Sequence, residues 1–310
     1  MRVAVIGQQE FGKAVLEALA GRGDTVAGVF CAPEKPGDKA DPLRAAAEQR
    51  QIPVHQLPSL KSNAALQALR GLNVELGIMA YVLQFVPQAF ATMPAHGMIQ
   101  YHPSLLPRYR GPSSINWPII RGEERTGLTI FRPTDGLDEG PIILQKEVAI
   151  GPDDTLGTVY FERLFPMGIA ALQEAAELVV SGRATERAQD EAQASYLGWC
   201  RSAEARINWH GHVDLLYNLI RGCNPVPGAW TLFKGRTLQL FDARKHLART
   251  FAQSKGGPGT ITAITAQGVL VAAQGGQIEL QRVRYDGGKK IPAVEFCAAA
   301  GVQEGALLGD

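Results

Sequence analysis

The side chains best suited to chemistry are a histidine and an aspartate on two separate loops. His102 lies in the stretch Gln100–Gly111, directly after a predicted strand, and Asp138 lies in the glycine-rich turn Asp135–Gly140 after another. In an open α/β sheet, loops that follow strands gather at one edge and form the ligand crevice. A histidine beside a carboxylate can take up and release a proton near neutral pH. The pair therefore predicts acid–base chemistry on a small molecule.

Three other motifs are weaker. Gly7 and Gly12 join the first strand to the first helix, but their spacing fits neither the dinucleotide fingerprint nor the P-loop. We interpret them as glycines for a tight turn and close helix packing, with phosphate binding as the alternative. His210 and His212 have metal-ligand spacing, yet no cysteine or carboxylate cluster supports them, so we favour a solvated turn and expect no metal site. The polar and aromatic stretch Arg221–Trp230 is interpreted as a packing turn, with a cleft-lining role left open.

Composition excludes several classes of protein. A hydrophobic content of 45%, a charged content of 20% and a net charge of +1 are typical of a soluble globular protein without a strong field for nucleic acid. The longest apolar runs are shorter than the roughly 20 residues that span a bilayer. The four scattered cysteines, without a C-x-x-C pair, indicate neither a zinc site nor a disulfide framework. We expect a cytoplasmic location, because the first residues read as a strand and not as a signal peptide.

Strands and helices alternate through the first part of the chain, which predicts a doubly wound, mostly parallel α/β sheet with helices on both faces. The predicted strands are Arg2–Ile6, Thr25–Phe30, Pro53–Val54, Val74–Met79, Gly97–Tyr101, Thr126–Phe131 and Ile142–Val148. The predicted helices are Phe11–Leu19, Pro42–Arg50, Ser62–Leu69 and Thr155–Val180. For the last of these we expect Asp153 or Asp154 as the N-cap.

The pattern changes after about residue 183. We predict a catalytic domain over residues 1–183, a polar linker over 184–205 and a second domain over 206–310. After a helix at Val213–Ile220, short strands separated by glycine turns suit a small antiparallel barrel. The predicted strands are Thr237–Asp242, Gly259–Ala266, Val269–Ala273 and Ile278–Arg284. Ser254–Gly259 is predicted to be a flexible loop.

Five motifs occur in one order along the chain: His102–Gly111, Ile115–Trp117, Asp135–Gly140, Ile207–Trp209 and Arg221–Pro227. At these residues the sequence resembles the folate-dependent formyltransferase family, and the resemblance covers essentially the whole chain. Within the family it most resembles the N-terminal hydrolase domain of 10-formyltetrahydrofolate dehydrogenase, and it is also similar to methionyl-tRNA formyltransferase.

The resemblance implies a Rossmann-like N-terminal domain that binds 10-formyltetrahydrofolate as formyl donor, and an OB-like C-terminal barrel. His102 and Asp138 match the family's catalytic pair, whereas the position of the family asparagine holds Gln100. The resemblance implies that the hydrolase branch also lacks this asparagine, so the departure fits that branch. It also implies a folate pocket at the loop after the fourth strand and at the loop that carries Asp138. We assign folate contacts to Tyr81, Val82, Leu83, Phe85, Asp135, Gly136 and Leu137.

The implied chemistry is attack on the formyl carbon by an amine or by water. His102, with Gln100 as a possible second donor, would stabilise the oxyanion. Asp138 would orient or deprotonate the nucleophile, or would pair with His102. A small amine or water is favoured as acceptor over methionyl-tRNA, because Ala32–Asp41 carries little net charge for a tRNA phosphate backbone. A non-catalytic folate-binding module is the third hypothesis, and the intact His102 and Asp138 argue against it.

Overall fold

The structure is a computed structural model that describes residues 1–248 and 256–309. The first two residues of the loop predicted at Ser254–Gly259 lie outside the described residues. The chain forms two compact units. The first comprises Met1–Gly111, Gly127–Val148 and Arg163–Tyr196, and the second comprises Pro112–Thr126, Ala149–Glu162 and Leu197–Asp310. The domain and linker boundaries expected from sequence stay predictions. Among the described residues, no helix combines the length and the apolar character needed to cross a membrane.

The first unit is built on a seven-stranded sheet with the order β3-β2-β1-β4-β5-β6-β7. Its strands are β1 (Arg2–Gly7), β2 (Thr25–Cys31), β3 (Val54–Gln56), β4 (Leu76–Ala80), β5 (Met98–His102), β6 (Arg125–Phe131) and β7 (Ile142–Ala149). The first five are parallel, and β6 runs antiparallel to β5. The strand order reverses between β1 and β4, which is where ligands bind in sheets of this kind.

The structure contains the predicted helices and several short ones that the sequence did not predict. They are α1 (Gln9–Gly21), α2 (Pro42–Gln49), α3 (Asn63–Leu72), α4 (Gln88–Ala91), α5 (Asn116–Ile120), α6 (Leu156–Thr158), α7 (Phe165–Val180), α8 (Val213–Gly222) and α9 (Ala293–Ala300). The side chains of Asp41 and Ser62 cap α2 and α3. The single helix predicted over Thr155–Val180 is interrupted by a π-helical stretch at Val159–Leu164, and Thr155, not either aspartate, is its N-cap.

Close packing explains two glycines that sequence alone could also have assigned to phosphate binding. A Cβ on Gly7 would lie 1.9 Å from the carbonyl oxygen of Ala80, so only glycine lets β1 end this close to β4. A Cβ on Gly12 would lie 3.0 Å from Leu43, where α1 packs against α2. These contacts support the interpretation as glycines for close packing, and the tight turn stays a prediction.

The second unit contains a six-stranded sheet with the order β10-β11-β12-β9-β8, and β13 pairs with β12. The strands are β8 (Ala229–Phe233), β9 (Arg236–Leu247), β10 (Ile261–Ile264), β11 (Val269–Ala273), β12 (Gly276–Tyr285) and β13 (Lys290–Pro292). In the described part of the chain, the neighbouring strands of this sheet run antiparallel to one another. The predicted fold class, a Rossmann-like sheet followed by an antiparallel β domain, is confirmed.

Candidate active site

The carboxyl end of β5 presents His102 and Gln100 on one face of the sheet, because strand residues two apart point the same way. Tyr101 points to the other face, where its ring lies 4.5 Å from that of Phe11. The His102 side chain is buried, with 5% of the residue exposed. Its Nε2 lies 2.9 Å from the carbonyl oxygen of Tyr109. A carbonyl can only accept, so Nε2 carries the proton of this hydrogen bond and Nδ1 is the nitrogen left for chemistry.

Asp138 faces that second nitrogen. Its Oδ2 lies 3.6 Å from Nδ1 of His102, which is beyond hydrogen-bond length but within ion-pair contact. The same oxygen accepts a hydrogen bond of 2.9 Å from the backbone N–H of Gly111. Asp138 is only 6% exposed, so the two groups meet in a site largely shielded from water. Shielding strengthens charge interactions between them.

The Asp138 loop has a constrained backbone. Asp138 has a φ of 58°, in the left-handed region that aspartate tolerates better than most residues. Two residues on, a Cβ on Gly140 would lie 1.7 Å from the carbonyl oxygen of Arg132, so the chain can pass there only with glycine. The left-handed backbone at Asp138 and the glycine at position 140 therefore fix the path of the loop that carries the carboxylate.

The loop after β5 is also fixed by hydrogen bonds. The Ser104 hydroxyl donates to the carbonyl oxygen of Arg108 at 2.7 Å. Thr129 on β6 donates to the Ser104 carbonyl at 2.7 Å and accepts from the Leu106 N–H at 3.1 Å. The Gln145 amide on β7 donates to the Leu106 carbonyl at 2.7 Å. The neighbouring strands therefore hold the loop that supplies the oxygen partner of His102.

An apolar surface follows β4. Tyr81, Leu83 and Phe85 are 46%, 55% and 51% exposed, so one loop presents three large apolar or aromatic side chains to solvent. The Lys61 ammonium lies 4.6 Å from the centre of the Phe85 ring. Val82, in the same loop, is partly buried against the core of the unit.

A hydrogen bond joins this loop to the one that carries Asp138. Asp135 accepts a hydrogen bond of 3.0 Å from the backbone N–H of Gln88, the first residue of α4. Leu137 is exposed on the same loop, and Gly136 lies against the carboxylate of Glu139. The first unit therefore brings together three sequence-predicted groups: the β4 loop, the turn from Asp135 to Leu137, and the pair His102 and Asp138. Gln100 shares the strand and face of His102, with a partly exposed side chain.

Arg110 is a functional candidate that sequence reasoning did not single out. Its side chain is buried and makes a bidentate ion pair with Glu191, at 2.6 and 2.9 Å. The Glu191 carboxylate raises the pKa of Arg110, and the guanidinium lowers the pKa of Glu191. Glu191 lies in the stretch predicted to be a linker, whose polar composition carries no periodic signal for such a contact.

Of the two histidines of the second unit, His212 has a structural role. His212 is the N-cap of α8, and its Nδ1 accepts a hydrogen bond of 3.3 Å from the Asp214 N–H. His210 is exposed. Within residues 1–248 and 256–309, no group of three histidine, cysteine, aspartate or glutamate side chains is arranged to hold a metal ion.

The Arg221–Trp230 stretch contributes to a separate cavity of about 440 Å³ inside the second unit. Arg221 and Asn224 line it together with Tyr217 and Asp153. Burial lowers the pKa of Arg221, and burial together with a 2.7 Å hydrogen bond to Asp153 raises the pKa of Tyr217.

Comparison with known proteins decides the family. Residues 1–174 match the family described as formyl transferase, and residues 200–301 match the formyl transferase C-terminal domain. The chain belongs to the formyltransferase family. It is 39% identical to mouse cytosolic 10-formyltetrahydrofolate dehydrogenase over 310 residues, which covers 96% of this chain and 34% of the relative. The chain thus spans about a third of the length of the dehydrogenase relatives.

Some relatives match along nearly their full length, and others match over a part of it. Methionyl-tRNA formyltransferase of Syntrophus aciditrophicus is 35% identical over 312 residues, covering 99% of this chain and 98% of the relative. Among solved structures, HypX from Aquifex aeolicus superposes with a TM-score of 0.70 at 17% identity, covering 98% of this chain and 48% of HypX. The sugar 3N-formyl transferase WlaRD has a TM-score of 0.67 at 16% identity, covering 90% and 97%. At these identities the two structures support the fold alone.

Proposed function

We propose that the site transfers or hydrolytically releases the formyl group of 10-formyltetrahydrofolate, with a small amine or water as acceptor. The observation that carries this proposal is the buried pair formed by His102 and Asp138, whose Nδ1 and Oδ2 lie 3.6 Å apart in a chain of the formyltransferase family. Acyl transfer needs a donor for the developing oxyanion and an acceptor for the proton of the nucleophile.

His102 is proposed as the oxyanion donor. Its Nε2 proton is committed to the Tyr109 carbonyl, so donation to substrate uses a protonated Nδ1. Oδ2 of Asp138 lies 3.6 Å from this nitrogen and faces it. Removal of one donor from an oxyanion site costs about 10²–10³ in rate in other acyl-transfer enzymes.

Asp138 is proposed as the group that orients the nucleophile and takes its proton. Its Oδ2 accepts from Gly111 and faces His102, so Oδ1 is the oxygen offered to the nucleophile. A positioned general base contributes roughly 10²–10⁴-fold. Gln100, on the same face of β5, is proposed as a second donor to the formyl oxygen.

The folate is proposed to bind against Tyr81, Val82, Leu83 and Phe85, with Asp135, Gly136 and Leu137 on the facing loop. The half-exposed apolar side chains suit the flat ring system of a folate, which binds through contact area and a few polar groups. One structural relative, HypX, has been crystallised with tetrahydrofolic acid, and WlaRD in the presence of 5-N-formyl-THF.

Methionyl-tRNA formyltransferase is the second candidate function. The near-complete mutual coverage with the Syntrophus aciditrophicus relative favours it. The net charge of +1 works against it, since contacts to phosphates dominate affinity for tRNA.

The test is an incubation with 10-formyltetrahydrofolate alone, followed by addition of amines or of methionyl-tRNA. Formyl release without acceptor supports the hydrolytic branch, and formylation of a small amine supports the transferase branch. Formylation of methionyl-tRNA alone would replace our proposal by the second candidate. A lack of any reaction with the formyl donor would refute both.

A further inference from the structure

One segment of the first unit, residues 187–195, lies between the stretches that match the two formyltransferase family descriptions, at 1–174 and 200–301. We call it the strap segment. Its polar composition is that of a linker, yet Arg187 begins it with a two-way backbone hydrogen-bond pair to Ile142, at 2.7 and 2.9 Å. Three of its later residues, Gln189, Glu191 and Ser195, contact the loops that carry His102 and Asp138.

Gln189 contacts the Asp138 loop. Its Nε2 donates to the carbonyl oxygens of Asp138 and Gly140, at 2.8 Å each. Its Oε1 accepts from Nε and Nη2 of the buried Arg110, at 3.2 and 2.8 Å. The amide thus bridges the backbone of one loop and the side chain of the other. Because Asp138 has a left-handed backbone, bonds from outside the loop are what hold that conformation in place.

Ser195 contacts the His102 loop. Its hydroxyl oxygen accepts from the Tyr109 N–H at 2.8 Å, and its carbonyl oxygen accepts from the Arg110 N–H at 2.8 Å. Its own N–H donates to the Pro107 carbonyl at 3.1 Å. Tyr109 supplies the carbonyl bonded to Nε2 of His102, so Ser195 fixes the peptide that orients the imidazole.

We propose that Gln189 and Ser195 are positioning residues, and that the strap segment sets the placement of Asp138 relative to His102. The proposal rests on the proposed function in taking these two groups as the reacting pair. Arg110 joins both contacts, since its backbone bonds to Ser195 and its side chain bonds to Gln189 and Glu191. A displacement of about 1 Å in a reacting group can cost about 10²-fold in rate.

The chain contains a matched control in the same segment. Gln193 is exposed, and its amide donates to Oδ2 of Asp190 at 2.8 Å. An ordinary linker glutamine would behave like Gln193. Comparing alanine substitutions at Gln189 and Gln193 therefore separates two effects. One is the loss of contacts to the loops that carry His102 and Asp138, and the other is the loss of a glutamine side chain.

The experiment compares Gln189→Ala with Gln193→Ala by two readouts. The first is amide hydrogen exchange at Gly111, whose N–H is bonded to Oδ2 of Asp138 and so reports where that carboxylate lies. The second is steady-state kinetics with 10-formyltetrahydrofolate. For Gln189→Ala we expect about tenfold faster exchange at Gly111, and a kcat lower by about 10–100-fold with KM for the donor nearly unchanged. Gln193→Ala should match the wild type in both.

Wild-type exchange at Gly111 in Gln189→Ala would overturn the proposal, and so would faster exchange with an unchanged kcat. If the wild type does not react with the formyl donor, the proposed function fails, and exchange at Gly111 alone then decides whether the strap segment positions Asp138. If Gln189→Ala does not fold, Ser195→Ala replaces it, with exchange at Tyr109 and kcat as readouts. Wild-type values for both in that variant would equally refute the proposal.

Discussion

The backbone N–H of Gly111 donates to Oδ2 of Asp138 at 2.9 Å, which joins the loop after β5 to the loop before β7. The same oxygen lies 3.6 Å from Nδ1 of His102. The backbone N–H of Gly111, which does not titrate, therefore holds the Asp138 carboxylate. The same carboxylate oxygen faces the imidazole of His102. A change at Asp138 that keeps the hydrogen bond but removes the charge separates these two effects.

The substitution Asp138→Asn makes that separation. The asparagine oxygen can still accept from Gly111, so the loop should keep its conformation while the negative charge is lost. We expect kcat to fall by about 10²–10⁴-fold, the range of general-base contributions, with affinity for the folate donor unchanged. Single-turnover kinetics and folate titration measure the two quantities. Glu139→Gln, which removes the exposed neighbouring charge, is the control, and a near-wild-type rate in Asp138→Asn would refute the assignment.

The substitution His102→Ala tests the other half of the pair. It removes the ring nitrogen that faces Asp138 and should lower kcat by about 10²–10³-fold, as for loss of one oxyanion donor. His210→Ala, at an exposed histidine, serves as the control for general effects of histidine loss. Folate binding by the His102 variant should persist, since the apolar loop after β4 is intact. Turnover equal to the wild type would remove His102 from the mechanism.

The sequence predicted the site pair because the signals that carry it are local. His102 directly follows a short apolar strand, and Asp138 lies in a turn whose glycines mark a constrained backbone. Because β6 runs antiparallel to β5, the carboxyl ends of these two strands lie at opposite edges of the sheet. Strand direction alone therefore does not bring Asp138 to His102, and the path of the loop Asp135–Gly140 must place the carboxylate there. The strands of the first sheet are predictable from the sequence because a run of buried apolar residues is also a short-range pattern.

The elements that sequence reasoning missed depend on distant partners. Helices α4, α5 and α9 have four, five and eight residues, which is too short for a clear helical period. Gln189 and Ser195 are polar residues in a polar stretch, and their partners lie about 50 to 90 positions away along the chain. Hydrogen bonds over such separations leave no mark on local composition.

The loop after β4 should contribute to binding and not to the chemical step. Phe85 exposes half of its surface, so contact with a folate ring would bury it at a gain of about 1–2 kcal/mol. Phe85→Ala should therefore raise KM for the formyl donor by about tenfold, with kcat little changed. Phe161→Ala, at another exposed phenylalanine, is the control in the same steady-state assay. An unchanged KM in Phe85→Ala would place the folate elsewhere.

The residue at position 100 is expected to influence whether the formyl group passes to an amine or to water. The family resemblance implies an asparagine here in enzymes that formylate amines, and its shorter side chain would place the amide differently beside His102. Gln100→Asn should raise amine formylation relative to hydrolysis, by up to about 10²-fold if the amide becomes a full oxyanion donor. Labelled formyl donor, with product partition between formate and formyl-amine, gives the ratio. An unaltered ratio would mean that residue 100 does not touch the formyl oxygen.

Glu34, which is not part of the candidate site, should make the stability of the fold depend on pH. The Asp41 N–H, which donates to Glu34 at 3.0 Å, and the Gln56 amide hold the pKa of Glu34 at about 2, below its ordinary value of 4.5. A carboxyl whose pKa is depressed by folding stabilises the fold fully above its unfolded value. That contribution is lost as pH falls from about 4.5 toward 2. Glu34→Gln should therefore lower the free energy of unfolding by about 1–3 kcal/mol at pH 7.

Urea unfolding at pH 7, 5 and 3.5 tests this expectation, because the difference between wild type and Glu34→Gln should shrink at the lowest pH. Glu48→Gln is the matched control. Glu48 pairs with the same Arg44 at 2.7 Å but is half exposed, so its ion pair is worth little at any pH. A Glu34→Gln deficit that stays constant from pH 7 to 3.5 would show that the ionised form of Glu34 adds nothing beyond its shape. The interactions with Asp41 and Gln56 would then not favour the charge.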